Sequence, residues 1–187
     1  MTNKTYFELF GLEEKLTLDI KSLQKQFYAL SREVHPDFHQ GGTKAEQSQS
    51  LETSSFLNQA FLTLKDKEKR LLYVLGLHLG DITEAEKKQT PPELLMELMD
   101  VREQLEEYHH APTQSLRASL LAALSDLQSR QKECDEQIDR LAMQFDSEPN
   151  PDRRKAILSD IRKILLKKNF LRSLARTIDS DLNPSEV

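Results

Sequence analysis

A chain of 187 residues, 37% hydrophobic and with a formal net charge of −5, can build one or two compact domains and is too acidic to be expected on nucleic acid. No apolar run nears the length needed to cross a bilayer, and Glu8, Glu13 and Glu14 interrupt the start before a signal-peptide core can form, so a soluble, cytoplasmic protein is expected. Cys134 is the single cysteine, which excludes an internal disulfide and a metal cluster held by thiolates of this chain; no metal or cofactor is expected, and a small core side chain is the expected role.

The negative charge lies wholly after residue 78, residues 1–78 being balanced. All five glycines fall in the first 80 residues, and beyond them the breaks are prolines. That change of punctuation predicts a first domain over residues 1–78, a linker or seam over 79–90 and a second domain over 91–187. No window alternates with the period of a strand, so the expected fold class is all-α.

Taken in order, Tyr6-Phe7-Glu8-Leu9-Phe10-Gly11-Leu12 reads as a short aromatic helix that must dock on its neighbours to be stable. Ile20, Leu23, Phe27, Leu30 and Val34 recur every three or four residues, which places them on one face of a helix. Proline disfavours helical geometry in the residue before it, so this helix should end near Val34 and present His35-Pro36-Asp37 on a stiff turn beside Gly41-Gly42. By itself a His-Pro-Asp tripeptide is only a turn. A polar loop is expected over 39–50, then a helix carrying Phe56, Leu57, Ala60, Phe61 and Leu64.

This order of elements around His-Pro-Asp resembles a J-domain, over residues 4 to about 76. The resemblance implies that His35, Pro36 and Asp37, with the basic residues Lys21, Lys25 and Arg32 on the preceding helix, contact an ATP-hydrolysing chaperone of the DnaK class. One position departs from the pattern: residue 38, commonly Lys or Arg in J-domains, is Phe38.

Arg70 to Leu79 is apolar on most sides, so burial on most sides, at the seam between the domains, is expected. Three helices should follow: from Pro91-Pro92 to near His109, from about Thr113 to Phe145, and from Asp152 to about Asp179. Breaks this short between sustained apolar repeats predict antiparallel neighbours and hence a three-helix bundle.

Nothing in the pattern points to catalysis. His35 and Asp37 flank a proline on an exposed turn, His109-His110 are adjacent residues that diverge by about 100° on a helix, and no Gly-rich phosphate loop exists. The anomaly is on the first bundle helix. Leu94, Leu98, Val101, Leu105 and Tyr108 supply core spacing, which leaves Leu95, Met96 and Met99 in surplus, rimmed by Asp100, Arg102, Glu103 and Glu106. Leu166 and Phe170 are a similar surplus on the last helix. A wide core would absorb them; an exposed apolar patch ringed by charge is instead the pattern of a partner site.

A J-domain followed by a bundle that opens with Leu95-Met96-Glu97-Leu98-Met99-Asp100-Val101-Arg102-Glu103 resembles the HscB family of bacterial iron–sulfur cluster co-chaperones over nearly the whole chain. That resemblance implies two protein partners, a DnaK-class ATPase of the HscA type and a cluster scaffold of the IscU type, and no enzymatic activity of the chain's own. It places Leu95, Met96, Met99, Asp100, Arg102, Glu103 and Phe170 against the scaffold. The alternatives are a J-domain adaptor for an unrelated client and a helical scaffold that recruits no chaperone.

Overall fold

In a computed structural model that describes residues 4–33, 44–89 and 91–183, the chain is all-α. The elements are α1 (Tyr6–Leu9), α2 (Ile20–Glu33), α3 (Lys44–Lys65), α4 (Lys67–Leu79), α5 (Glu84–Lys88), a 3-10 turn (Pro92–Leu94), α6 (Leu95–His110), α7 (Gln114–Ser147) and α8 (Pro151–Leu182). They divide into two compact units, one of residues 1–81 with 142–149, the other of 82–141 with 150–187.

In the first unit, α1 has four residues and owes its stability to caps and docking. Thr5 and Glu8 form a reciprocal capping box, and Gly11, with φ +60°, turns the chain at the other end. Phe7 is buried, and Tyr6 stacks on Tyr73 of α4 at 4.3 Å while donating its backbone N–H to the Tyr73 hydroxyl at 2.9 Å. The apolar stripe of α2 faces α3, with Leu23 fully buried and Phe27 stacked on Phe61 at 4.1 Å.

Two sequence expectations are corrected here. Residues 44–50 belong to α3 and not to the preceding loop; Lys, Ala, Glu and Gln are good helix formers, and propensity extends a helix where no apolar repeat announces it. The helix over 70–79 buries one face only. Arg70, Leu71, Val74 and Leu75 are buried, whereas Leu72 and Leu77 are exposed at 41% and 42%.

The buried member of α4 that no apolar pattern reveals is Arg70, 5% exposed. Its guanidinium donates to the carbonyls of Leu16, at 2.9 Å, and of Leu64. Burial pulls its pKa down, opposed by the charges of Asp146 and Asp66. Asp146, near the end of α7, accepts from the backbone N–H of Leu16 and of Thr17, at 2.6 and 2.8 Å, and from the Thr17 hydroxyl. One turn of chain is thus gripped from both sides, its carbonyl by Arg70 and its amides by Asp146. Phe145, fully buried, meets the His78 ring edge-on at 6.3 Å, and His78 lies 2.8 Å from Glu14.

In the second unit the core is built from α6 (Val101, Leu105), α7 (Leu120, Leu127, Cys134) and α8 (Leu171, Leu174, Ile178, Leu182), with Leu94 closing one end. Cys134 takes its expected place, its thiol pushed up by burial. Partly exposed charge pairs link the helices: Arg130 of α7 donates to Glu97 of α6 at 2.6 Å and, within α7, to Asp126 at 3.2 Å, and Lys168 of α8 pairs with Asp135 of α7. Asn150 caps α8 by accepting from the N–H groups of Asp152 and Arg153, with Pro151 in the first turn. Helix α5 packs on α8 through a fork in which Arg162 donates to both carboxylate oxygens of Glu86 at 2.8 Å.

Candidate functional site

Two sets of residues stand outside the cores. The first is on α2. Lys21, Lys25 and Arg32 are exposed, and at 100° per residue they fall within one narrow stripe opposite Leu23 and Phe27. Tyr28, 56% exposed, lies on that same stripe, its hydroxyl accepting from the Gln24 side chain at 3.1 Å. Tyr28 carries no signal in the sequence that would mark it, because a tyrosine fits either the buried or the exposed face of a helix. His35, Pro36 and Asp37 lie outside the described residues.

The second set is on α6. Leu95, Met96 and Met99 are 49%, 77% and 62% exposed, and Asp100, Arg102 and Glu103 around them are exposed. These three apolar side chains are surface and not core. Phe170 differs. It is half-buried and packs against the bundle core alongside Leu98 and Ile164. Leu95, Met99 and Arg102 share one face of α6, whereas Met96 and Glu103 are turned further from the core. Arg102 and Phe170 come together across the α6–α8 groove, a cavity of about 350 Å³ whose floor is formed by Leu98, Leu105 and Leu174.

That groove has a third wall, which sequence reading missed. Lys87 and Lys88 at the end of α5 border it. A linker is the sequence expectation for this segment, although Thr83-Glu84-Ala85-Glu86 carries a helix-start signal: Thr83 and Glu86 form a capping box. His109 and His110 are exposed at the end of α6, His109 lying 3.7 Å from Asp181. Among the described residues no three His, Cys, Asp or Glu side chains gather as metal ligands, and no helix is long and apolar enough to cross a membrane.

A short capped aromatic helix, two antiparallel helices and a separate antiparallel bundle define a J-domain protein with a second helical domain, and the family comparisons agree. Residues 5–73 match the DnaJ domain, and residues 90–179 match the HSCB C-terminal oligomerisation domain. Among solved structures, the chaperone HscB from Vibrio cholerae is 27% identical, the match covering 95% of this chain and 99% of that one with a TM-score of 0.56. The human co-chaperone protein HscB is 25% identical over 96% of this chain and 82% of that one, with a TM-score of 0.63. The chain belongs to the HscB family of J-domain co-chaperones, whose role is in iron–sulfur cluster biogenesis.

Proposed function

We propose that this chain binds a cluster scaffold of the IscU type through α6 and brings it to a DnaK-class ATPase of the HscA type, whose hydrolysis it stimulates. The observation that carries this reading is the exposure of Leu95, Met96 and Met99 together on one helix, ringed by Asp100, Arg102 and Glu103. Methionine side chains adapt to a partner's shape, and charge around an apolar centre sets register. Burying three such side chains yields roughly 5–9 kcal/mol of gross hydrophobic gain. Part of that is consumed by the cost of association, so further contacts, Phe170 among them, bring the complex into the micromolar range. On the chaperone side, the stripe Lys21, Lys25, Tyr28 and Arg32 docks an acidic surface, and Asp37 supplies a charge-assisted contact to a cation of the ATPase. The chain performs no chemical step itself and works in the cytoplasm.

Titrating an IscU-type scaffold into the full chain and into the Leu95→Ala/Met96→Ala/Met99→Ala variant tests the client side. Binding to the parent that weakens at least about a hundredfold in the variant, for the loss of some 3 kcal/mol or more, supports the reading. Equal binding to both would overturn it.

A further inference from the structure

The groove between α6 and α8 carries a charge that the rest of the molecule does not predict. In a chain of net charge −5, its lining contains three cations, Lys87, Lys88 and Arg102, and no carboxylate. Lys87 is engaged by Glu84 at 2.6 Å. Lys88 and Arg102 are exposed and close no ion pair or hydrogen bond among the described residues. The same lining holds an apolar floor, the buried Leu105 and Leu174, together with the half-buried Phe170. The neutral polar groups of Asn169, Ser173 and Thr177 form the α8 side. Cations and hydrocarbon in one lining select a ligand that is acidic and apolar within one short stretch.

Continuity decides what kind of ligand that is. Leu95, Met99 and Arg102 lie on one face of α6, so the groove opens directly onto the exposed apolar patch. A ligand lying on the patch and in the groove is an extended segment of a protein and not a compact small molecule. We propose that the α6–α8 groove is the basic half of a two-part docking surface, and that it takes an acidic segment of the protein client, a leucine-type side chain seated over Phe170 with flanking carboxylates against Lys88 and Arg102. This rests on the reading of α6 as the client-binding helix, and it specifies the chemistry of the client there. The patch then supplies contact area, while the groove selects clients by charge and fixes which way along α6 they lie.

The test uses the full chain and a Lys88→Glu/Arg102→Glu variant. Both side chains are exposed, so the fold should survive, as a thermal melt checks. The probe is a short fluorescein-labelled peptide in which Glu residues flank Leu, with one control carrying Lys for Glu and another carrying Ser for Leu. The expected result is binding of the Glu/Leu peptide alone, weakened at least about tenfold by the charge reversal and by salt that screens exposed pairs. Binding of the Lys/Leu peptide as tightly, or no effect of the reversal, would overturn the proposal. So would equal binding of the Glu/Ser peptide, which would reduce the groove to a bare cluster of cations, and tighter binding of laurate, which would make it a site for a small acid. An IscU-type scaffold separates this proposal from the reading beneath it. A scaffold that binds parent and reversal variant alike removes the groove, and Arg102 with it, from the client site and leaves only the apolar patch of Leu95, Met96 and Met99 standing. One that binds neither removes the α6 reading, while the peptides still decide the groove.

Discussion

Two side chains show how single residues set what the fold tolerates. Arg70 is buried because two backbone carbonyls accept from its guanidinium. An isosteric apolar replacement leaves those carbonyls unpaired, each costing about 1–3 kcal/mol. Arg70→Met should therefore lower unfolding free energy by roughly 2–6 kcal/mol in urea titration, and an unchanged midpoint would show that the carbonyls find other donors. Glu86 is held well below the carboxylate range, at about 2, first by the Arg162 side chain and then by the Thr83 backbone N–H and hydroxyl. A folded pKa depressed from 4.5 means stabilisation that is complete above 4.5 and is lost as pH falls towards 2. Glutamine still serves a capping box, so Glu86→Gln removes the charge and keeps the cap. The variant should melt below the parent at neutral pH, with the gap closing on acidification through that window; a gap constant with pH would contradict the ion pair. Neither residue's partners were legible in the sequence. Arg70 reaches a carbonyl 54 residues away and Glu86 a guanidinium 76 residues away, and apolar spacing carries no information about such pairs.

At the scale of elements, the sequence was legible wherever burial is periodic. The stripes of α2 and α6 were read from their spacing, because a helix that buries one face must repeat every three or four residues. It was less legible where burial is partial or local. The α4 segment is apolar nearly all round yet leaves Leu72 and Leu77 exposed, since composition does not say how many neighbours a helix has. Helix α5 is too short for a stripe and was visible only through its capping box. The surplus on α6 was the most informative element, since three apolar positions beyond those the core needs had to be either wide core or surface, and exposure settles Leu95, Met96 and Met99 as surface. Their joint replacement by Ala should leave the melting temperature within a few degrees of the parent, whereas Leu105→Ala, which cuts into the core at 5% exposure, should cost about 2–5 kcal/mol. A collapsed melt for the triple variant would mean that these side chains support the bundle. Phe170 is left out of that variant because it packs on the core and would confound binding with stability.

For the whole molecule, a pattern of glycines and prolines indicated two domains, but it did not reveal that residues 142–149 belong with the first unit. Asp146 caps Leu16 and Thr17 across about 130 positions of chain, and no local signal marks it. Asp146→Ala removes a charged acceptor from three donors and should cost about 1–3 kcal/mol. It should also speed amide exchange at Leu16 and Thr17 specifically; exchange no faster than in the parent would show that water or another group replaces the carboxylate. By the same logic, a fragment ending at Asp81 lacks part of its own unit and is a poor stand-in for the J-domain.

The whole 187-residue chain is therefore the material for the central claim, that one molecule joins a client on α6 to an ATPase at His35-Pro36-Asp37. The measurement is steady-state ATP hydrolysis by an HscA-type chaperone, titrated with the parent, His35→Gln or Leu95→Ala/Met96→Ala/Met99→Ala, each with and without an IscU-type scaffold. The account predicts stimulation by the parent that the scaffold increases, none by His35→Gln under either condition, and basal stimulation by the triple variant with no increase from the scaffold. Stimulation by His35→Gln equal to the parent's, or a scaffold effect that survives the triple substitution, would contradict it.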